Sequence, residues 1–142
     1  MPEGTTCNIY PENVHELGNW FKDLLTDDIK PLYVYCLEEH GDHLYTYDAN
    51  EIGTTNNGAV GKYGYRCKGI AGYVHSKHKE GTIPLYRYYK TKAGSGQGDH
   101  LYTTNVQEIG TTAHGEEGNS GYVFEKITCF VYPAKDNAKN DD

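Results

Sequence analysis

Two Asp-His pairs, Asp42-His43 and Asp99-His100, are the first places in this chain where side chains could do chemistry. A carboxylate beside an imidazole suggests proton transfer. Adjacent residues on a strand point to opposite faces, so these neighbours cannot orient each other by adjacency alone. Activating a nucleophile needs a third partner, and none is legible. No Gly-x-Ser-x-Gly, His-Glu-x-x-His or phosphate-loop motif occurs. The expectation is a protein that is not an enzyme, whose His ties down a turn and whose Asp caps one. A second set of residues suits binding. Arg87 stands between Tyr86 and Tyr88, while Glu125 and the run Gly115-Glu116-Glu117-Gly118-Asn119 bring acids and an amide. Such oxygens suit Ca²⁺, although no EF-hand spacing is present. Planar Arg, carboxylate and amide groups also match sugar hydroxyls, with an aromatic face for the C–H side of the ring. The plain alternative is a solvated acidic loop beside a surface arginine.

These residues sit in a sequence that repeats. Pro31-Leu32-Tyr33-x-Tyr35 returns as Pro84-Leu85-Tyr86-x-Tyr88, and Asp42-His43-Leu44-Tyr45-Thr46 as Asp99-His100-Leu101-Tyr102-Thr103. Glu51-Ile52-Gly53-Thr54-Thr55 returns as Glu108-Ile109-Gly110-Thr111-Thr112. From the Asp-His pairs onward the copies lie 57 positions apart (99 − 42), whereas the proline motifs lie 53 apart (84 − 31). The extra residues fall in the Gly/Ser/Gln-rich stretch 91–98, which reads as a loop. Each unit closes on an apolar strand, around Ile70 to Val74 in one and Ile127 to Pro133 in the other, and Thr6-Cys7 matches Thr128-Cys129 in register. The chain thus reads as one domain, 1–142, made of a truncated unit (1–30), two complete units (31–83 and 84–133) and a polar tail (134–142). Val14, Leu17, Trp20/Phe21 and Leu24/Leu25 recur at helical steps, predicting an amphipathic helix within residues 12–28, packed over one end of a sheet. The remaining Tyr, Val, Ile and Thr runs, punctuated by 17 glycines, predict short antiparallel strands joined by tight turns. Short helical turns are expected near Asn50-Glu51 and from Asn105 to Glu108. The fold class expected is a small, mostly β domain of quasi-repeated units with an N-terminal helix.

Composition narrows the partners. The net charge is −7 and the longest basic cluster is Lys77-His78-Lys79, so nucleic acid is disfavoured: neutralising phosphates needs the opposite sign. No apolar run approaches ~20 residues, so membrane insertion is not expected. Met1-Pro2-Glu3 does not read as a signal peptide. Fourteen tyrosines build amphipathic surfaces and thin cores, because each buried ring carries a hydroxyl that needs a partner.

Cys36 and Cys67 stand where the second unit has Tyr89 and Phe124. Two aromatics replaced together suggest a pair in contact, hence a Cys36–Cys67 disulfide and a secreted, oxidising setting. Cys7 and Cys129 share one repeat position and could pair if the first and last strands meet. Zinc is the poorer alternative, since no Cys-x-x-Cys is present.

The strings Pro84-Leu85-Tyr86-Arg87-Tyr88-Tyr89, Asp99-His100-Leu101-Tyr102-Thr103-Thr104-Asn105, Glu108-Ile109-Gly110-Thr111-Thr112, Gly121-Tyr122 and Gly81-Thr82-Ile83-Pro84 resemble a secreted tandem-repeat family. Its units run roughly PLYRYY, DHFYTTN, EIGTT and GYVYP, and the resemblance covers Pro31 to Pro133. It implies a lectin-like role, akin to a calcium-dependent, galactose-binding marine-invertebrate lectin. Val34 departs from the family's Arg and Lys68 from its acid, so the implied sugar site lies in the second unit. The residue types of the second unit add His100, Tyr102, Asn105 and Glu108 to Arg87 and Glu125 as the expected site, with Asp99 and Glu108 as the Ca²⁺ ligands and Tyr102 as a stacking face. The incomplete third unit leaves an edge uncovered, which suggests a homodimer. The rival readings are a structural or adhesive extracellular module and, last, a glycan-acting hydrolase.

Overall fold

The computed structural model describes residues 7–8, 28–39, 41–91 and 98–133. The expected N-terminal helix, the centre of the 91–98 loop and the polar tail lie outside these residues. Alternating apolar positions build the strands β1 (Cys7–Asn8), β2 (Ile29–Leu37), β3 (Asp42–Thr46), β4 (Arg66–His75), β5 (Ile83–Thr91), β6 (Gly98–Thr103) and β7 (Val123–Pro133). All pairings are antiparallel, in the order β3-β2-β4-β7-β5-β6, with β1 added to β7. The protein is mostly β, as its sequence implies.

The two complete units share one plan: two paired strands, one helical turn, a tight 3₁₀ turn, and a long strand that returns beside the first. The helical turns are α1 (Ala49–Ile52) and α2 (Val106–Ile109), each started by a side-chain cap, Asp48 or Asn105, and stopped by a left-handed glycine, Gly53 or Gly110. Gly61 and Gly118 pass so close to the helical turns that an added Cβ would lie 2.3 and 2.2 Å from the carbonyl oxygens of Ile52 and Ile109. Tyr35 Oη donates to Thr54 O at 2.7 Å, and Tyr88 Oη donates to Thr111 O at 2.8 Å. These buried phenols satisfy the need that a tyrosine-rich core creates.

Apolar clusters form on both faces of the sheet. Tyr35, Leu44, Ile52, Tyr65 and Cys67 form a core inside the first unit; Tyr88, Ile109 and Phe124 form one inside the second. The opposite faces meet at the centre through Leu32, Tyr45, Val74, Leu85, Tyr102, Cys129 and Val131. The sheet curls so far that its terminal strands touch: the Tyr45 N–H donates to Tyr102 Oη at 2.8 Å, and the two rings lie edge-to-face at 5.2 Å. These two tyrosines are the same repeat position.

Register corrects the expected disulfide. Tyr35 pairs with Cys67 and Cys36 with Arg66, so the two cysteines lie on opposite faces of the β2–β4 ladder. Cys67 is fully buried in the first unit's core, Cys36 is half-buried, and both are free thiols. The aromatic counterparts share this separation: Phe124 packs on Tyr88 inside the unit, whereas Tyr89 faces His100. Cys7 does meet the last strand, but opposite Pro133 rather than Cys129. Four residues of strand, roughly 13 Å, separate those positions, well beyond disulfide reach.

Candidate functional site

A buried polar array joins the two units. Arg87, on β5, is 5% exposed and sits between two carboxylates. Its Nη1 and Nη2 donate to the two oxygens of Glu51 at 3.2 and 2.7 Å, and its Nε donates to Glu125 Oε1 at 2.8 Å. The Glu51 contact is the bidentate fork that a guanidinium makes best. Glu125 Oε1 also lies 3.2 Å from His100 Nε2. On the other side of that ring, Nδ1 stands 2.7 Å from Asp42 Oδ2, while the His100 backbone N–H donates to Asp42 Oδ1 at 2.7 Å. Tyr65 Oη completes the chain by donating to Asp42 Oδ2 at 2.5 Å.

Charge alternates along this path: Glu51, Arg87, Glu125, His100, Asp42. Burial alone would raise each acid, yet hydrogen bonds and charges from Arg87 and His100 hold Glu51, Glu125 and Asp42 below the usual carboxylate range; Tyr65 helps at Asp42. Burial likewise pulls His100 down, but Asp42 and Glu125 more than reverse it and raise the imidazole. Burial drives Tyr102 and Tyr65 upward, the latter aided by Asp42, so both phenols stay protonated. Three carboxylates share two basic groups: Arg87 bridges Glu51 and Glu125, and His100 bridges Glu125 and Asp42. What the array does is lock one unit to the other.

The sequence-derived residues therefore separate. Arg87, His100 and Glu125 come together. Tyr102 lies beside them but is 4% exposed and enclosed by Tyr45, which leaves no ring face open to a ligand. Asn105 caps α2, Glu108 is exposed in its first turn, and Asp99 accepts from Tyr122 Oη at 2.7 Å. No contact among the described residues joins these three to Arg87. No group of three or more His, Cys, Asp or Glu among the described residues is arranged to hold a metal ion. The sequence does not set Glu51, Asp42 and Tyr65 apart from their repeat counterparts Glu108, Asp99 and Tyr122, so their shared role with Arg87 and His100 is not legible there. Only curling of the sheet gives the first unit's acids their partners in the second.

A different feature is open to solvent. Leu37, Glu38, Glu39, Val60, Tyr63, Gly64 and Arg66 line a cleft of about 460 Å³ in the first unit. Tyr63 is 79% exposed and Val60 52%. Tyr63 holds φ +60° inside the Lys62–Gly64 turn, a left-handed conformation uncommon for a bulky residue. Beside it, Arg66 Nε donates to Glu38 Oε1 at 3.3 Å and Lys68 Nζ to Glu38 Oε2 at 2.9 Å; the lysine bond first, then both cations, keep Glu38 below its usual range. The second unit puts Glu117 and Ser120 at the positions of Val60 and Tyr63. Ser120 keeps the same left-handed turn at φ +63°, so the turn is framework and the aromatic ring is particular to the first unit. That substitution was readable in the aligned copies.

Fold and site define a mostly β domain of two like units, locked by a buried ionic chain and carrying an exposed aromatic cleft. The chain belongs to the family described as a domain of unknown function (DUF5648), which matches residues 12–132. Comparison with curated proteins and with solved structures gives no match.

Proposed function

We propose that this chain is an extracellular carbohydrate-binding protein that seats a sugar ring on Tyr63, in the first unit. The observation that carries this reading is that Val60 and Tyr63, both more than half exposed, line one cleft with Glu38, Glu39 and Arg66. An aromatic face packs against the C–H side of a pyranose, and carboxylate and guanidinium groups exchange hydrogen bonds with its hydroxyls. Galactose-type terminal sugars, which offer such a C–H face, are the class to test first. The seat belongs to the first unit because Arg87, His100 and Tyr102 are buried and engaged in joining the units. A shallow cleft of this kind holds a single sugar at about millimolar Kd, near −4 kcal/mol, so presentation of two seats in a homodimer would raise avidity.

A glycan array read in calcium and in EDTA tests the proposal, with wild type beside Tyr63→Ala. The expected result is binding to terminal galactosides that falls about tenfold in the variant, in line with one lost stacking contact. Equal binding by Tyr63→Ala would remove the seat. Absence of binding in both buffers would sink the carbohydrate reading and favour an adhesive module. Loss in EDTA alone would add a calcium requirement.

A further inference from the structure

We infer that a second ligand site lies in the groove between the two units and takes a carboxylate-bearing sugar, such as a uronate. The groove, about 320 Å³, is lined by Lys30 near the start of β2, by Thr46, Tyr47, Asp48 and Ala49 of the first unit and by Lys126 and Thr128 of the second. The observation that marks it is Thr128. Its hydroxyl is buried and has no hydrogen-bond partner among the described residues, and the residue itself is 3% exposed. Buried hydroxyls are nearly always satisfied, because an orphan weakens the fold relative to an apolar residue of the same shape. The repeat shows that the scaffold does not need it: the same position in the first unit is Ala71.

The flanking cations follow the same pattern. Lys30 and Lys126 form no ion pair among the described residues, and their counterparts are Ile83 and Gly69. Three polar groups that only one unit carries at each position thus converge on one groove. Two ammonium groups and a hydroxyl donor match a carboxylate, which accepts from all three. The opposite wall supplies the complementary chemistry. Asp48 accepts the Asn50 N–H at 2.9 Å and has a further oxygen available, and Thr46 Oγ1 accepts the Asp48 N–H at 3.0 Å. Asp48 suits ring hydroxyls, which donate to it, so the groove fits a ligand with an anionic end and a hydroxylated body better than a bare anion. The net charge of −7 opposes an acid at long range, but that field is screened over roughly 8–10 Å in physiological salt, whereas the lysines act at contact. This site is independent of the seat over Tyr63. Since it spans both units, its occupant adds to the bond between them and favours the folded state.

The test is a two-dimensional NMR and calorimetric titration of the full chain with glucuronate, beside glucose and acetate. Glucuronate is expected to shift amides around Thr46 to Ala49 and Lys126 to Thr128 and to raise the melting temperature, with glucose and acetate far weaker. Thr128→Val is expected to weaken glucuronate about tenfold, as loss of a hydrogen bond to a charged group does, while folding with an equal or higher melting temperature. Lys126→Gln should weaken it by a similar factor, and Tyr63→Ala should leave it unchanged. Unchanged glucuronate binding in Thr128→Val overturns the proposal, as does equal binding of glucose, or shifts confined to Val60, Tyr63 and Arg66.

Discussion

Val34 and Arg87 occupy the same place in two copies of one strand, and so do Lys68 and Glu125, yet the pairs do opposite things. In the second unit Arg87 and Glu125 turn inward, recruit His100, and reach Glu51 and Asp42 of the first. In the first unit Val34 packs on the central apolar cluster, and Lys68 pairs outward with Glu38 at the surface. The asymmetry continues at the tight turns, where the first unit exposes Tyr63 and the second only Ser120. Duplication of a scaffold need not duplicate a site. Here the second copy supplies the basic groups of the lock, Arg87 and His100, and the first keeps an exposed aromatic cleft.

Arg87 offers the sharpest way to break this contrast. Arg87→Met strips the cation from two partly buried carboxylates and is expected to cost about 3 kcal/mol in urea unfolding. Removing a carboxylate as well, in Arg87→Met/Glu125→Gln, should recover about 1 kcal/mol or more of that loss, since the sites are directly coupled. Arg66→Met, which breaks only an exposed pair in the first unit, should cost under about 0.5 kcal/mol. Equal losses for Arg87 and Arg66 would dissolve the distinction between an inner lock and an outer surface.

His100 gives the next effect, and it depends on pH. Its folded pKa is raised above 6.5, so its contribution is complete below that value and fades as pH rises through the folded pKa. Asp42, Glu51 and Glu125 are lowered from 3.8, 4.5 and 4.5, so theirs are complete above those values and fade as pH falls through the folded ones. All four act together between about pH 4.5 and 6.5, and thermal stability should peak there. His100→Gln is expected to lower stability by about 1–2 kcal/mol at pH 5.5 and by less at pH 8.5, flattening the alkaline side of the profile. A profile that keeps its alkaline slope in this variant would remove His100 from the lock.

The smallest effect is a null one. Cys36 and Cys67 lie on opposite faces of the ladder, so dithiothreitol should leave the melting temperature unchanged within about 1 °C, where loss of a disulfide would cost about 2–4 kcal/mol. A reductant-dependent shift would reopen the pairing.

Much of this was legible in the chain. Spacing of Pro-Leu-Tyr, Asp-His-Leu-Tyr-Thr and Glu-Ile-Gly-Thr-Thr gives the strands, the helical turns and their caps, because these follow from local periodicity and turn chemistry. Arg87 and Glu125 stood out as departures between copies. Their role did not, since it rests on Glu51 and Asp42, which only the curl of the sheet brings within reach. The cysteines misled for a related reason: a joint substitution reveals that two positions changed, not which face of a strand each occupies. Tyr63 looked like any other tyrosine, and its exposure is a property of the turn that holds it outward.

The most direct test of the account is residue-resolved: a two-dimensional NMR titration of the folded protein with a methyl galactoside. The account predicts that the shifted amides cluster at Leu37 to Glu39 and Val60 to Arg66, with Arg87, His100 and Glu125 unmoved. Shifts centred on Arg87, His100 and Glu125 instead would contradict it, returning the sugar to the second unit and making the buried ionic chain a binding site rather than a lock.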